Sequence, residues 1–256
     1  MKRRRPSPIN YVADEPAAEY DFGVPIPGLP LPPEQWVQTG IKQLGPPAAI
    51  DWNAWFGRTS PVVLDLGCGN GRFVITSAMR RPEVDHIGLD TLPLVIRYAT
   101  RRANQRGLAN VRMIVCGAYE FLEGYVPPAS IAEIHLYHPQ PFRERRKEQA
   151  ARRLVSPAFL ALVHRSLQPG GTFVLQTDNG PYWNYMRRVV PEFFRLELQE
   201  GPWPDTPQGR TRREIYARQH GLQVHRAVCH PRDDLSPERM AALVESLPLP
   251  VFSAGK

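Results

Sequence analysis

Asp65-Leu66-Gly67-Cys68-Gly69-Asn70-Gly71 follows the apolar run Pro61-Val62-Val63-Leu64 and leads into residues 71–80, which read as a helix. This arrangement predicts a buried strand that runs into a glycine turn. Such a turn needs residues without Cβ, so that the backbone can bend and a ligand can approach closely. The spacing narrows the ligand. A dinucleotide fingerprint places its third glycine three residues after the second. Here Arg72 stands at that position and the glycine comes one residue early. An acidic residue, Asp65, also precedes the first glycine.

Outward from this turn, short apolar runs alternate with helical stretches. His86–Asp90, Val111–Val115, Ile131–Tyr137 and Gly171–Gln176 read as strands. Pro93–Arg106 and Ala118–Gly124 read as helices, with Pro93 in a first turn. Strand alternating with helix implies an α/β fold with a mostly parallel sheet covered on both faces. Residues 193–198 and roughly 214–219 are expected to add an antiparallel pair, for seven strands in all. A helix is expected over 235–247, after an Asp-Leu-Ser-Pro start signal.

Residues 1–50 differ in character. The stretch Pro25-Ile26-Pro27-Gly28-Leu29-Pro30-Leu31-Pro32-Pro33 cannot be helix or central strand, because proline fixes φ and lacks a donor. It reads as a partly disordered arm with a basic tip at Lys2-Arg3-Arg4-Arg5. The expected division is therefore an arm over 1–50, an α/β domain over 51–228 and a helical tail over 229–256.

The chain has 256 residues, long enough for one sizeable core. No apolar run is long enough to span a membrane, and the basic start is not followed by an apolar signal-peptide region. A cytoplasmic protein is expected. Cys68, Cys116 and Cys229 are too few and too far apart for a disulfide framework or a metal site, and no metal is expected. The net charge of +7 is compatible with a polyanionic partner.

Asp-x-Gly-x-Gly-x-Gly at a strand–helix junction resembles motif I of the class I methyltransferases, which have a Rossmann-like fold. The resemblance implies S-adenosylmethionine (SAM) as cofactor, with Asp65, Gly67 and Gly69 around it. Asp90 ends the next strand, and its carboxylate can accept hydrogen bonds from ribose hydroxyls at the same edge of the sheet.

Ligands of open α/β sheets bind beyond the carboxyl ends of the strands. Two segments should therefore face the transferred methyl. One is His138-Pro139-Gln140-Pro141-Phe142-Arg143-Glu144-Arg145-Arg146-Lys147, a basic run suited to a phosphate backbone. The other is Thr177-Asp178-Asn179-Gly180-Pro181-Tyr182. With Pro181 at the first helical position, Gly180 would be the cap and Asp178 would be left free for substrate.

Together with Phe56-Gly57-Arg58 and Thr211-Arg212-Arg213-Glu214, these segments make residues 50–220 resemble the bacterial tRNA (guanine-N7)-methyltransferases. The resemblance implies a tRNA partner, no membrane and a monomer or homodimer. Asp178 and Gln140 become the catalytic candidates. Asp178, Thr211, Arg212, Arg213, Glu214, Arg145 and Arg146 become the substrate-binding ones. The chain departs from the family's pattern at four places. Gly117 stands where an acidic residue after the third strand contacts the adenine of the cofactor. Gln140, also on the cofactor side, stands where the family has Asp. Phe142 replaces Trp, and Glu144 replaces Lys. Three functions fit these residues: tRNA guanine-N7 methylation, methylation of another acceptor, and non-catalytic RNA binding.

Overall fold

A computed structural model describes residues 18–141 and 153–253. Part of the proline-rich arm is ordered within them. Tyr20–Asp21 (β1) and Val24–Pro25 (β2) pair antiparallel, and Gly40–Ile41 (β3) joins the edge of the main sheet. The arm adheres through buried charge. Asp21 pairs with Arg72 at 3.3 Å, with both side chains almost fully buried. Arg72 also donates to the carbonyl of Pro25 at 2.9 Å. Removing one partner of such a pair strands a buried charge, at a cost of about 3–5 kcal/mol. Ile26 is buried in the core beside these contacts.

Trp52–Phe56 (α1) is capped by Asp51, which accepts from Asn53 N–H at 2.9 Å. The alternating unit follows: Val62–Leu66 (β4), Arg72–Arg80 (α2), Asp85–Asp90 (β5), Pro93–Gln105 (α3), Val111–Val115 (β6), Ala118–Gly124 (α4) and Ile131–Tyr137 (β7). Then come Pro157–Ser166 (α5), Leu167–Thr177 (β8), Gly180–Val189 (α6), Phe194–Leu198 (β9), Arg212–Gln219 (α7), His225–Pro231 (β10) and Pro237–Ser246 (α8).

The main sheet has eight strands in the order β3-β6-β5-β4-β7-β8-β10-β9. It is parallel from β3 to β8, and β10 runs antiparallel to both of its neighbours. The Rossmann-like, mostly parallel sheet with helices on both faces is as expected, but eight strands replace seven. The added strand is β3, two residues at an edge, too short to carry any periodicity. Gly40 lets it sit there, since a Cβ would lie 2.9 Å from Cγ2 of Thr100.

The last strand was expected at 214–219, and the chain is helical there. Thr211 Oγ1 accepts from Glu214 N–H at 3.1 Å, so Thr-x-x-Glu is a helix-start signal. The antiparallel strand begins eleven residues on, at His225–Pro231. The cap of α6 is Asn179, which accepts from Tyr182 N–H at 2.8 Å, rather than Gly180. The expected boundary after residue 228 falls inside β10. Cys229 on that strand and Leu243 on α8 both belong to the core under α4, α5 and α6. A second core packs α2 and α3 on the opposite face.

β4 lies between β5 and β7. The chain builds outward on one side through β5 and β6, then crosses back to β7 and β8. The crevice at the carboxyl ends of β4 and β7 is thus the switch point where open α/β sheets bind ligands.

Candidate active site

A cavity of about 1360 Å³ opens at that crevice. Its floor is the glycine turn, where Gly67, Gly69 and Gly71 take φ of 82°, 53° and 78°, values that residues with a Cβ rarely adopt. Gly67 and Cys68 N–H both donate to the carbonyl of Leu89 at 2.8 Å. Asp90 ends β5 at the same carboxyl edge of the sheet. It accepts from Gly69 N–H at 3.2 Å and Leu92 N–H at 3.0 Å, and so ties the turn to the end of β5. It remains half-exposed, with lone pairs to spare. The arm grips the same turn from outside, with Asn70 donating to Asp21 at 2.9 Å.

Asp65 lines the cavity and is 2% exposed. Its Oδ1 has no hydrogen-bond partner among the described residues. Burial, followed by the nearby charge of Asp90, raises its carboxyl to about 8. A buried carboxylate without a partner is costly until a cation arrives. The ammonium of SAM meets that need, so the residues present fit the expected cofactor.

The opposite wall belongs to β7 and β8. Gln140, Asp178 and Thr211 line the cavity, as do Arg212 and Arg213. Arg213 donates to Oδ2 of Asp178 at 2.5 and 3.0 Å, and His138 Nδ1 lies 2.8 Å from its Oδ1. Burial opposes the charge on Asp178, yet the hydrogen bonds from His138 and Arg213 outweigh it. They hold the carboxyl well below the usual carboxylate range. Asp65 and Asp178 are thus tuned in opposite directions within one cavity. Two strand spacings separate the ends of β4 and β8, roughly 10 Å.

Glu214 does not face this cavity. It is fully buried and accepts from Arg226 Nη2 at 2.6 Å and from Arg210 N–H at 2.8 Å. It anchors α7 to β10 and has no route to a substrate edge. Gly117 caps α4 away from the cavity lining, and a Cβ there would meet only Glu120, whose Oε2 would be 3.7 Å away. Arg145 and Arg146, with Phe142 and Glu144, lie outside the described residues.

Sequence reasoning gave two contributors no role of their own. His138 lines the cavity at the end of β7, the same edge that singled out Asp178. Phe22, at the turn of the β1–β2 hairpin, reaches the cavity mouth beside Leu94, Tyr98 and Tyr216. Its ring lies 5.5 Å from that of Tyr216, and the guanidinium of Arg212 lies 5.0 Å from it. Aromatic faces beside arginine planes suit an unstacked nucleobase.

A family model described as "Putative methyltransferase" matches residues 59–227. A tRNA (guanine-N(7)-)-methyltransferase of Halorhodospira halophila is 31% identical over 203 residues, covering 78% of this chain and 87% of the relative. The chain belongs to the tRNA (guanine-N7)-methyltransferase family. The Methylococcus capsulatus relative of the same name is 36% identical over 178 residues, 69% of this chain and 75% of its own length. Among solved structures, the 16S rRNA methyltransferase KamB superposes with a TM-score of 0.54 at 15% identity, over 76% of this chain and 99% of that one. The 16S rRNA (adenine(1408)-N(1))-methyltransferase from Catenulisporales acidiphilia gives 0.50 at 15% identity, over 74% and 95%. At such identities these two show the shared fold. The chain is thus a methyltransferase built on the Rossmann-like scaffold expected from its glycine turn.

Proposed function

We propose that this methyltransferase transfers the methyl of SAM to N7 of a guanine in tRNA, at the guanine-46 type position of the variable loop. We place it in the cytoplasm, acting as a monomer or homodimer without an obligatory protein partner. The observation that carries the reading is Asp178, a carboxylate kept ionised by His138 and Arg213 on the cavity wall opposite Asp65.

Bound SAM supplies a methyl activated by its sulfonium. Guanine N7 has an in-plane lone pair, so no proton must leave before attack, and the site needs positioning and water exclusion more than a strong base. The methylated ring gains positive charge, and the Asp178 carboxylate stabilises that charge as it develops. The free lone pairs of Asp178 also suit the N1–H and N2–H₂ edge that distinguishes guanine from adenine. Gln140 offers a carbonyl acceptor without charge. Phe22, Tyr216 and Arg212 supply stacking surface for the displaced base.

Incubating the protein with SAM and unmodified tRNA, then mapping the product by mass spectrometry, should yield N7-methylguanine. No product across several tRNAs, with SAM binding intact, overturns the reading. The affinity for tRNA should also fall steeply as salt rises, because arginines at the rim meet phosphates. Affinity that stays flat from about 50 to 200 mM salt argues for a different acceptor.

A further inference from the structure

His138 is held in an unusual way. Its backbone sits at φ 50°, in the left-handed region that side chains with a Cβ seldom occupy. Its N–H donates to the carbonyl of Gln176 at 2.6 Å, and its side chain is 6% exposed. The two ring nitrogens have different neighbours. Nδ1 faces Asp178 at 2.8 Å, and Nε2 faces the side-chain amide nitrogen of Gln176 at 2.8 Å.

The orientation of Gln176 is decided by groups further in. Its Oε1 accepts from Trp203 Nε1 at 2.6 Å and from Arg226 Nε at 3.1 Å. Indole and guanidinium nitrogens only donate. Turning the amide over would set its NH₂ against two donors in a buried site, leaving at least two polar groups unsatisfied. Arg226 is fixed in turn by buried Glu214. The NH₂ of Gln176 therefore points at His138 Nε2, which can only accept. The ring proton must then sit on Nδ1 and be donated to Asp178.

We propose that His138 is a positioning residue for methyl transfer: Gln176, locked by Trp203 and Arg226, selects its Nδ1–H tautomer, and that single hydrogen bond orients the Asp178 carboxylate toward the substrate. The inference rests on the role given to Asp178 above. The charged groups around the ring are Asp178 and, through it, Arg213 on α7, with Arg226 and Glu214 beyond Gln176 on the β10 and α7 side. Arg213 alone holds only one oxygen of Asp178, which leaves the carboxylate free to rotate about that contact. The bond from His138 to the second oxygen removes that freedom.

Two substitutions isolate the hydrogen bond, because both tolerate a positive φ. His138→Gly removes the donor. His138→Asn keeps an N–H donor at nearly the Nδ1 position. Under saturating SAM and tRNA, H138G should lower kcat by about 10- to 100-fold. KM for tRNA and the affinity for SAM should stay within about threefold of the wild type. H138N should recover most of the lost rate. Equal losses in the two variants, a loss confined to KM, or wild-type turnover in H138G overturns the proposal. Nitrogen-15 NMR of the wild-type imidazole gives a readout that needs no activity. A protonated Nδ1 with an unprotonated Nε2 is expected, and the opposite tautomer or an imidazolium overturns the inference. If wild-type protein leaves tRNA unmethylated, the proposed function fails while the NMR result still decides the tautomer. If Asp178→Ala is inactive but H138G is not, only the role of His138 fails.

Discussion

Replacing Asp178 by alanine is expected to lower kcat for tRNA methylation by about 10²- to 10³-fold while SAM binding changes little. The asymmetry follows from the placement of the residue. Asp178 directly follows β8, two strands from the glycine turn, and among the described residues none of the turn's hydrogen bonds involve it. Its loss removes the negative charge facing the developing cationic ring and the acceptor for the guanine edge, both felt most in the transition state. An interaction realised only there lowers kcat and kcat/KM equally. Asp178→Asn separates charge from shape and should recover little, because the amide carries no negative charge and presents a donor where guanine also donates. Wild-type turnover should not fall through loss of the Asp178 charge in mildly acidic buffer, since His138 and Arg213 outweigh burial and hold that carboxyl well below the usual range. Stopped-time assays of methyl incorporation, paired with calorimetry for SAM, check both halves. A variant that turns over at the wild-type rate, or that loses SAM binding in parallel, sinks the assignment.

Asp178 could be read from sequence because its position is a consequence of local pattern: a strand, then an acidic residue, then a proline-started helix. The glycine turn was legible for the same reason, since φ values of 53–82° at three positions leave a direct mark on residue choice. What lay beyond the pattern was pairing across distance. Glu214 reads as a substrate-binding acid in the Thr-Arg-Arg-Glu element, yet Arg226 draws it into the interior, twelve residues on and on another element. Thr211 lines the cavity, while its capping role went unread and a helix was taken for a strand. The arm illustrates the same limit. Prolines rightly excluded α-helix over residues 25–33, where only a 3-10 turn begins at Pro33, but nothing local announced that Asp21 would meet Arg72 and Asn70, or that Phe22 would arrive at the cavity mouth. His138 stood in plain view after β7. Its meaning depends on Gln176, Trp203 and Arg226, three residues from three segments.

Asp65 should make SAM affinity depend on pH over a range where an ordinary aspartate would leave it flat. A carboxyl at its usual value is already ionised at pH 6, so its ligand affinity would be flat from there upward. Burial and the charge of Asp90 raise Asp65 to about 8, so the free protein carries it protonated at neutral pH. Pairing with the ammonium of SAM favours the ionised form, and binding then releases a proton. Affinity should rise about tenfold per pH unit from 6 toward 8. Above that, the amino group of the cofactor itself loses its proton, near about 8, and affinity should decline. Asp65→Asn removes the rising limb and should weaken binding at pH 8 by about 10- to 100-fold, the worth of one charge-assisted bond. The same shift acts on stability with a definite sign. A carboxyl raised in the folded state stabilises the fold below its unfolded value, and that contribution is lost as pH climbs through the interval from 3.8 to about 8. Cofactor-free protein should therefore melt at lower temperature at pH 9 than at pH 6, with a smaller drop in D65N, and SAM should restore the wild type most near pH 8, where its affinity peaks. Calorimetry across pH with both proteins decides the matter. Wild-type affinity that is level between pH 6 and 8, or an unchanged profile in D65N, would show that the ammonium is held elsewhere.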